Sequence, residues 1–226
     1  MISTRAAAAA SIALTAAVAA LLLAVPALAF QPVTDDFGSP GRSELSWERC
    51  AGRAVVFSGS TLRVDLRSED FAAAFLGNEA WEDYTVTGRF RWAPGGRQPS
   101  LEVLVRAQGR GCVEDQASAY RIVHHPGEGV VEVLSSDGFK HELIASEPHA
   151  FEAGIWYDFS LTVRGTSLDY WLHGKKLLHL DELEKHPRGR VGLGASRRSA
   201  VVSGTGEFDD LFVMASLGPL GSVDLE

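Results

Sequence analysis

The chain has 226 residues, 46% of them hydrophobic and 22% charged, with 23 glycines, 9 prolines and 2 cysteines. That balance excludes a disordered, collagen-like or disulfide-dense chain. Twenty-nine acidic against 21 basic side chains give a net charge of −8, and no basic run exceeds a pair such as Arg197-Arg198. A phosphate backbone therefore finds no basic footprint, and nucleic acid is excluded as a partner.

Residues 1–29 carry one charge, Arg5, followed by an apolar stretch rich in Ala and Leu that ends at Pro26-Ala27-Leu28-Ala29. A positive start, an apolar middle and small residues at the boundary predict a secretory signal cleaved after Ala29. The stretch is long enough to span a bilayer, but Pro26 interrupts it and no Lys/Arg cluster follows. No cysteine follows to accept a lipid, and no twin arginine precedes. The expected location is secreted or periplasmic, with no membrane attachment after cleavage. Export would place Cys50 and Cys112 in an oxidising compartment, where a disulfide between them is expected; two buried thiols are the alternative.

In chain order, Thr61–Leu66 is the first clear strand. The segment 68–77, with Glu69, Asp70, Phe71 and Ala72 to Ala74, predicts a short helix. Tyr84, Val86, Gly88, Phe90 and Trp92 then alternate with Thr85, Thr87, Arg89 and Arg91, a period of two with one face on a core and the other in water. Leu101, Val103 and Val105 alternate likewise with Glu102 and Arg106. Strands follow at 119–125, 130–135, 139–145, 157–164 and 168–173, a short helix at 181–185, and strands at 190–195 and 207–214. Turn residues punctuate them, for example Pro94-Gly95-Gly96, Pro126-Gly127-Glu128-Gly129, Arg164-Gly165-Thr166 and His173-Gly174-Lys175. Short strands at this spacing predict one all-β sandwich or jelly-roll domain over residues 30–215. Gly218-Pro219 and Gly221 mark residues 216–226 as a flexible tail.

Several motifs in their order resemble the concanavalin A-like lectin/glucanase superfamily, in its laminin-G-like branch. They are Asp35-Asp36-Phe37, then Trp81-Glu82-Asp83-Tyr84-Thr85-Val86, then Val105-Arg106 with Tyr120-Arg121-Ile122. Trp156-Tyr157-Asp158 through Gly165, Tyr170-Trp171-Leu172-His173-Gly174-Lys175, Gly189-Arg190-Val191-Gly192-Leu193 and Phe208-Asp209-Asp210-Leu211-Phe212-Val213 complete the set. The resemblance implies an all-β fold, a two-sheet antiparallel jelly-roll sandwich with one curved sheet and an exposed concave face. It implies a carbohydrate-binding module, a glycan hydrolase or lyase, or a protein-interaction domain; fold does not choose among them.

A retaining glucanase needs two carboxylates on one face. The superfamily often places them in a Glu-x-Asp-x-(x)-Glu strand; Glu207-Phe208-Asp209 begins such a strand but lacks the third carboxylate. A more distant likeness, to the 3-keto-disaccharide hydrolase-like branch, is weakened where that branch has "FRNI" and this chain has Phe208-Asp209-Asp210-Leu211. It also lacks that branch's "NSG" segment at Gln98-Pro99-Ser100-Leu101. A lyase would draw on Arg106, Tyr120, Arg121 and His124, which show no recognisable spacing. His124 and His125 are adjacent on one strand, point to opposite faces and cannot share a metal. Asp35 near one terminus and Asp209-Asp210 near the other could meet around a structural Ca²⁺, the one cofactor the sequence offers.

Sugar binders stack aromatic faces on sugar rings and hydrogen-bond the hydroxyls. Trp92 and Trp156 fall at core-facing positions. Trp171 is out of phase with Leu168, Tyr170 and Leu172 and is expected to face outward beside His173. With it, Arg89, Arg91, Glu102, Arg106 and Tyr120 are expected to line the concave face. The sequence thus predicts an exported, monomeric, non-catalytic domain binding a glycan or another extracytoplasmic ligand there. The alternatives are a glycan hydrolase on the same face and a pure protein-interaction domain.

Overall fold

The computed structural model describes residues 32–38, 47–50, 54–66, 69–109, 118–137, 140–197 and 204–215. The expected export signal, Cys112 and the expected tail lie outside the described residues. Among the described residues every regular element is a strand. In chain order these are β1 (Val33–Asp35), β2 (Glu48–Cys50), β3 (Val55–Ser58), β4 (Thr61–Asp65) and β5 (Phe71–Leu76). Then come β6 (Tyr84–Trp92), β7 (Ser100–Gln108), β8 (Ser118–His125), β9 (Val130–Asp137) and β10 (Lys140–Pro148). The last five are β11 (Tyr157–Arg164), β12 (Ser167–Leu172), β13 (Lys175–Leu180), β14 (Arg190–Ser196) and β15 (Thr205–Ala215).

They form two antiparallel sheets. Sheet A runs β13-β12-β11-β6-β15-β4-β3, with β1 also paired to β15; sheet B runs β10-β9-β8-β7-β14-β5-β2. The sheets pack face to face, and the period-two pattern assigns the interior. Tyr84, Val86, Phe90 and Trp92 of β6 are fully buried, while Thr85, Thr87, Arg89 and Arg91 face out. From sheet B, Leu101, Val103, Val105, Ile122 and His124 meet them. The two sheets are pinned across the core where Tyr170 donates its hydroxyl hydrogen to His124 Nε2 at 2.6 Å, and His124 Nδ1 donates to the Leu101 carbonyl at 2.9 Å. Phe90 packs against His124 with ring centroids 4.4 Å apart and planes tilted by 40°.

Two segments differ from expectation. Residues 71–76 are not helical: Phe71-Ala72-Ala73-Ala74-Phe75-Leu76 is β5, buried along its whole length between β14 and β2. The alanines favour a helix in isolation, but here their small side chains interlock with β14, where a Cβ on Gly194 would stand 2.7 Å from the Ala72 carbonyl oxygen. Pairing and burial of a six-residue segment override local propensity. Residues 181–185 form no helix either; Leu183 is buried and donates its backbone N–H to the Thr166 carbonyl at 2.8 Å.

Gly189 leads into β14 at φ 149° and donates to the Trp81 carbonyl at 2.8 Å. A Cβ there would lie 2.2 Å from the Arg106 carbonyl carbon, which is main chain and cannot swing aside. Gly189→Ala is expected to lower folding stability by about 3 kcal/mol or more, read as a thermal-melt shift against wild type.

Candidate functional site

The outer face of sheet B carries the candidate site, a groove. Cross-strand partners share a face, so register alone sets its rows. Glu102 of β7 stands opposite Gly194 and Val123, and Val123 opposite Glu132. In the next row Leu104 stands opposite Arg121, Arg121 opposite Leu134, and Leu134 opposite Leu143 of β10. Together with His125, His141, Ser196 and Arg197 these side chains line a groove of about 290 Å³.

The groove floor is ionic and tightly paired. Arg121 donates from Nε to Glu102 Oε2 at 2.7 Å and from Nη2 to Glu102 Oε1 at 2.8 Å. Glu102 is 0% and Arg121 2% exposed, so this two-pronged pair sits out of water. The Arg121 guanidinium also lies over the Phe71 ring, 5.1 Å from its centroid. His125 is fixed from both sides: its Nε2–H donates to Glu132 Oε2 at 3.0 Å and Nδ1 meets Ser100 Oγ at 2.7 Å. His141 Nδ1 meets Ser136 Oγ at 2.8 Å, and Arg197 pairs with Asp70. Every charged side chain lining the groove thus has a protein partner. Leu143, 55% exposed on the edge strand, forms an aliphatic rim with Leu134 behind it.

Of the residues expected on one concave face, only Glu102 reaches this groove. Arg89 and Arg91 face outward from sheet A, the opposite side of the sandwich. There Arg89 pairs with Asp209 at 2.6 Å and Asp210 at 3.1 Å, and Arg91 with Glu207 at 2.7 Å. Trp156 lies against both guanidinium groups, 4.8 and 4.4 Å from its ring, so it packs outside the sandwich and not in the core. Trp171 is also outward on sheet A, opposite Ser160, with Lys176 Nζ 5.9 Å from its ring. His173 occupies the β12–β13 turn at φ 49°, beside Tyr157 and 3.8 Å from Asp158.

Arg106 and Tyr120 point elsewhere again. A bulge in β7 puts Arg106 at φ 54° and turns its side chain to the end of the sandwich. Buried at 1% exposure, it donates to the carbonyls of Glu82 at 3.1 Å and His186 at 3.2 Å and meets Asp83 at 3.4 Å. Tyr120 lies between the sheets, where its hydroxyl oxygen accepts from the backbone of Lys185 at 3.0 Å and His186 at 3.3 Å. It borders a second recess of about 260 Å³ beside Ser135, Glu142 and Lys185. His186, hydrogen-bonded to Ser135 Oγ at 3.0 Å, is held below the ordinary histidine pKa by burial.

The expected calcium ligands have protein partners. Asp35 accepts from the Phe37 backbone and from Trp47 Nε1, both at 2.8 Å; Asp209 takes Arg89 on one oxygen and the Asp210 backbone on the other. Among the described residues no group of three or more His, Cys, Asp or Glu side chains is arranged to hold a metal. Cys50 ends β2 in a buried apolar cluster with Phe71, Ala73 and Phe75.

Residues missed by sequence reasoning as groove-forming are Arg121, His125, Glu132, His141 and Ser196. Their signal was the alternation Arg121-Val123-His125 facing Glu132 across the Pro126–Gly129 turn, which needs the pairing of β8 with β9 to be recognised.

No family model and no curated protein sequence matches the chain. Solved structures do match in shape. The exoplasmic/lumenal domain of VIP36, in a Ca²⁺- and mannose-bound form, superposes with a TM-score of 0.63 at 9% identity, covering 82% of this chain and 91% of that one. A carbohydrate-binding module, CBM66 of Bacillus subtilis, gives 0.58 at 11% identity over 76% of this chain and 98% of that one. A β-1,3-1,4-glucanase (lichenase) from a mouse hindgut metagenome gives 0.61 at 10% identity over 83% of this chain and 100% of that one. Identities this low speak to fold. With all-β composition, two face-to-face antiparallel sheets and these superpositions, the chain has a two-sheet jelly-roll sandwich fold, the fold that the motif resemblance implied.

Proposed function

We propose that the chain is an exported, monomeric, non-catalytic glycan-binding domain whose site is the groove on the outer face of sheet B. The observation that carries this is a groove about one to two sugar rings in size. Fixed polar groups form its floor (Arg121, Glu132, His125, Ser196) beside an aliphatic rim. Pre-organised donors and acceptors next to an apolar wall suit a ligand with hydroxyls on one side and C–H groups on the other. Fold neighbours that bear carbohydrate-binding descriptions support the reading.

Glycan-array binding of the purified chain tests it. Glu132→Ala is expected to weaken binding roughly tenfold, the loss of a hydrogen bond to a charged group. Trp171→Ala, on the other sheet, is expected to leave binding unchanged. No binding across the array, or loss with Trp171→Ala instead of Glu132→Ala, overturns the groove assignment. For export, mass spectrometry of the secreted protein is expected to give a chain beginning at Phe30; an intact Met1 start refutes it.

The fold likeness to a lichenase favours hydrolysis as a second reading, because Glu102 and Glu132 stand two strands apart on one face. Strand spacing puts their backbones about 10 Å apart. Glu102, however, is sealed from water and has both oxygens committed to Arg121. A carboxylate so engaged neither delivers a proton nor reaches an anomeric carbon. Reducing-sugar release from a polysaccharide panel above the level of Glu102→Gln would restore catalysis.

A further inference from the structure

Resting on the groove reading above, we infer that its ligand is an uncharged glycan engaged through a methyl-bearing ring, as in a 6-deoxyhexose or an N-acetylhexosamine. Charge decides the first part. Arg121 faces Glu102, Arg197 faces Asp70, and Glu132 accepts a hydrogen bond from His125, so among the described residues both guanidinium groups lining the groove are already paired. A uronate or sulfate entering the groove would lie near two carboxylates and would take either of these described guanidinium groups only by breaking its pair. The chain's net charge of −8 adds repulsion at longer range. A hydroxyl needs no such exchange, since it accepts and donates at the pairs' remaining edges.

Shape decides the second part. Among the described residues the groove lining contains no tryptophan, tyrosine or phenylalanine; its rings are the small imidazoles of His125 and His141, whose edges are tied to Ser100, Glu132 and Ser136, so no broad aromatic platform is present to stack a sugar face. In its place stand branched aliphatic side chains: Leu143 at the rim, Leu134 opposite it in register, and Val123 on the floor. Small apolar ends in a row receive a protruding methyl group, which buries on all sides, better than a planar ring. The methyl of a 6-deoxyhexose and that of an acetamido group supply the same chemistry.

Calorimetric titration of the purified chain separates the possibilities. The probes are rhamnose and N-acetylglucosamine oligosaccharides, their unsubstituted glucose and mannose counterparts, and oligouronates. At least one methyl-bearing series is expected to bind roughly tenfold tighter than its unsubstituted counterpart, and which one does so identifies the source of the methyl. Leu143→Ala, at an exposed edge position, is expected to weaken the methyl-bearing series about three- to fivefold more than the unsubstituted sugars, so that the preference shrinks by that factor. Affinity is expected to hold from low to high salt. Equal binding of substituted and plain sugars with no effect of Leu143→Ala, or salt-sensitive preference for uronates, overturns this inference while the groove reading stands. Absence of binding in every arm, with the chain shown folded by circular dichroism, overturns both.

Discussion

Arg121→Ala is expected to destabilise the fold by about 3–5 kcal/mol, because it leaves the Glu102 carboxylate buried without its counter-charge. Both groups are almost fully removed from water, and the guanidinium supplies two parallel hydrogen bonds that no solvent replaces. It also removes the cation over Phe71. The companion experiment is the double variant Glu102→Leu with Arg121→Met, expected to recover most of the loss, since a buried pair exchanged for apolar side chains of similar size is often neutral. Urea unfolding of the single and double variants checks both. If Arg121→Ala unfolds within about 1 kcal/mol of wild type, the pair is not desolvated as described. If the groove binds glycan as proposed, the double variant is also expected to lose that affinity while staying folded, which separates the pair's proposed binding role from its structural one.

Acid is expected to unfold the chain through His124. Burial drives its pKa down to about 3 from an ordinary 6.5, and the Leu101 carbonyl opposes only part of that. Between those two values the unfolded chain binds a proton that the folded chain refuses, so unfolding takes up protons and stability falls as pH drops. The contribution is complete above pH 6.5 and declines through that window, amounting to something on the order of 5 kcal/mol by pH 3. His186 and His149, both lowered chiefly by burial, act with the same sign. Urea midpoints across this range should fall steadily below pH 6.5. In His124→Gln, which keeps a donor and an acceptor between Leu101 and Tyr170, the slope should flatten; an unchanged slope removes His124 as its source.

The core strands were legible because one sheet face meets water. In β6 the alternation of Tyr84, Val86, Phe90 and Trp92 with Thr85, Thr87, Arg89 and Arg91 gives both the strand and its inward face. The same reasoning failed on β7, where Ser100 to Ala107 is buried on both faces and the polar residues Glu102 and Arg106 are enclosed instead of solvated. It failed on β5 because an alanine-rich segment carries no period of two when both faces are covered. The short strands β2 and β3 carry too few residues to show a period, and in the edge strand β13 only Leu178 is buried, so Lys175-Lys176-Leu177-Leu178-His179-Leu180 shows no alternation.

What the sequence determined by itself was the class of fold: alternation and turn chemistry are local, and together with the order of motifs they specify an antiparallel jelly-roll sandwich. It could not assemble the site. Period two tells which residues of a strand share a face, but not which sheet the strand joins or which strands flank it. Arg89, Arg91 and Trp171 therefore shared a pattern with Glu102 yet stand on the opposite side of the molecule. The partners that complete the groove, Arg121 from β8, Glu132 from β9 and Ser196 from β14, were brought to Glu102 only by long-range pairing, and the bulge at Arg106 reversed the phase beyond it. Register and burial are properties of the assembled sheets, and those decided which polar side chains gather in the groove.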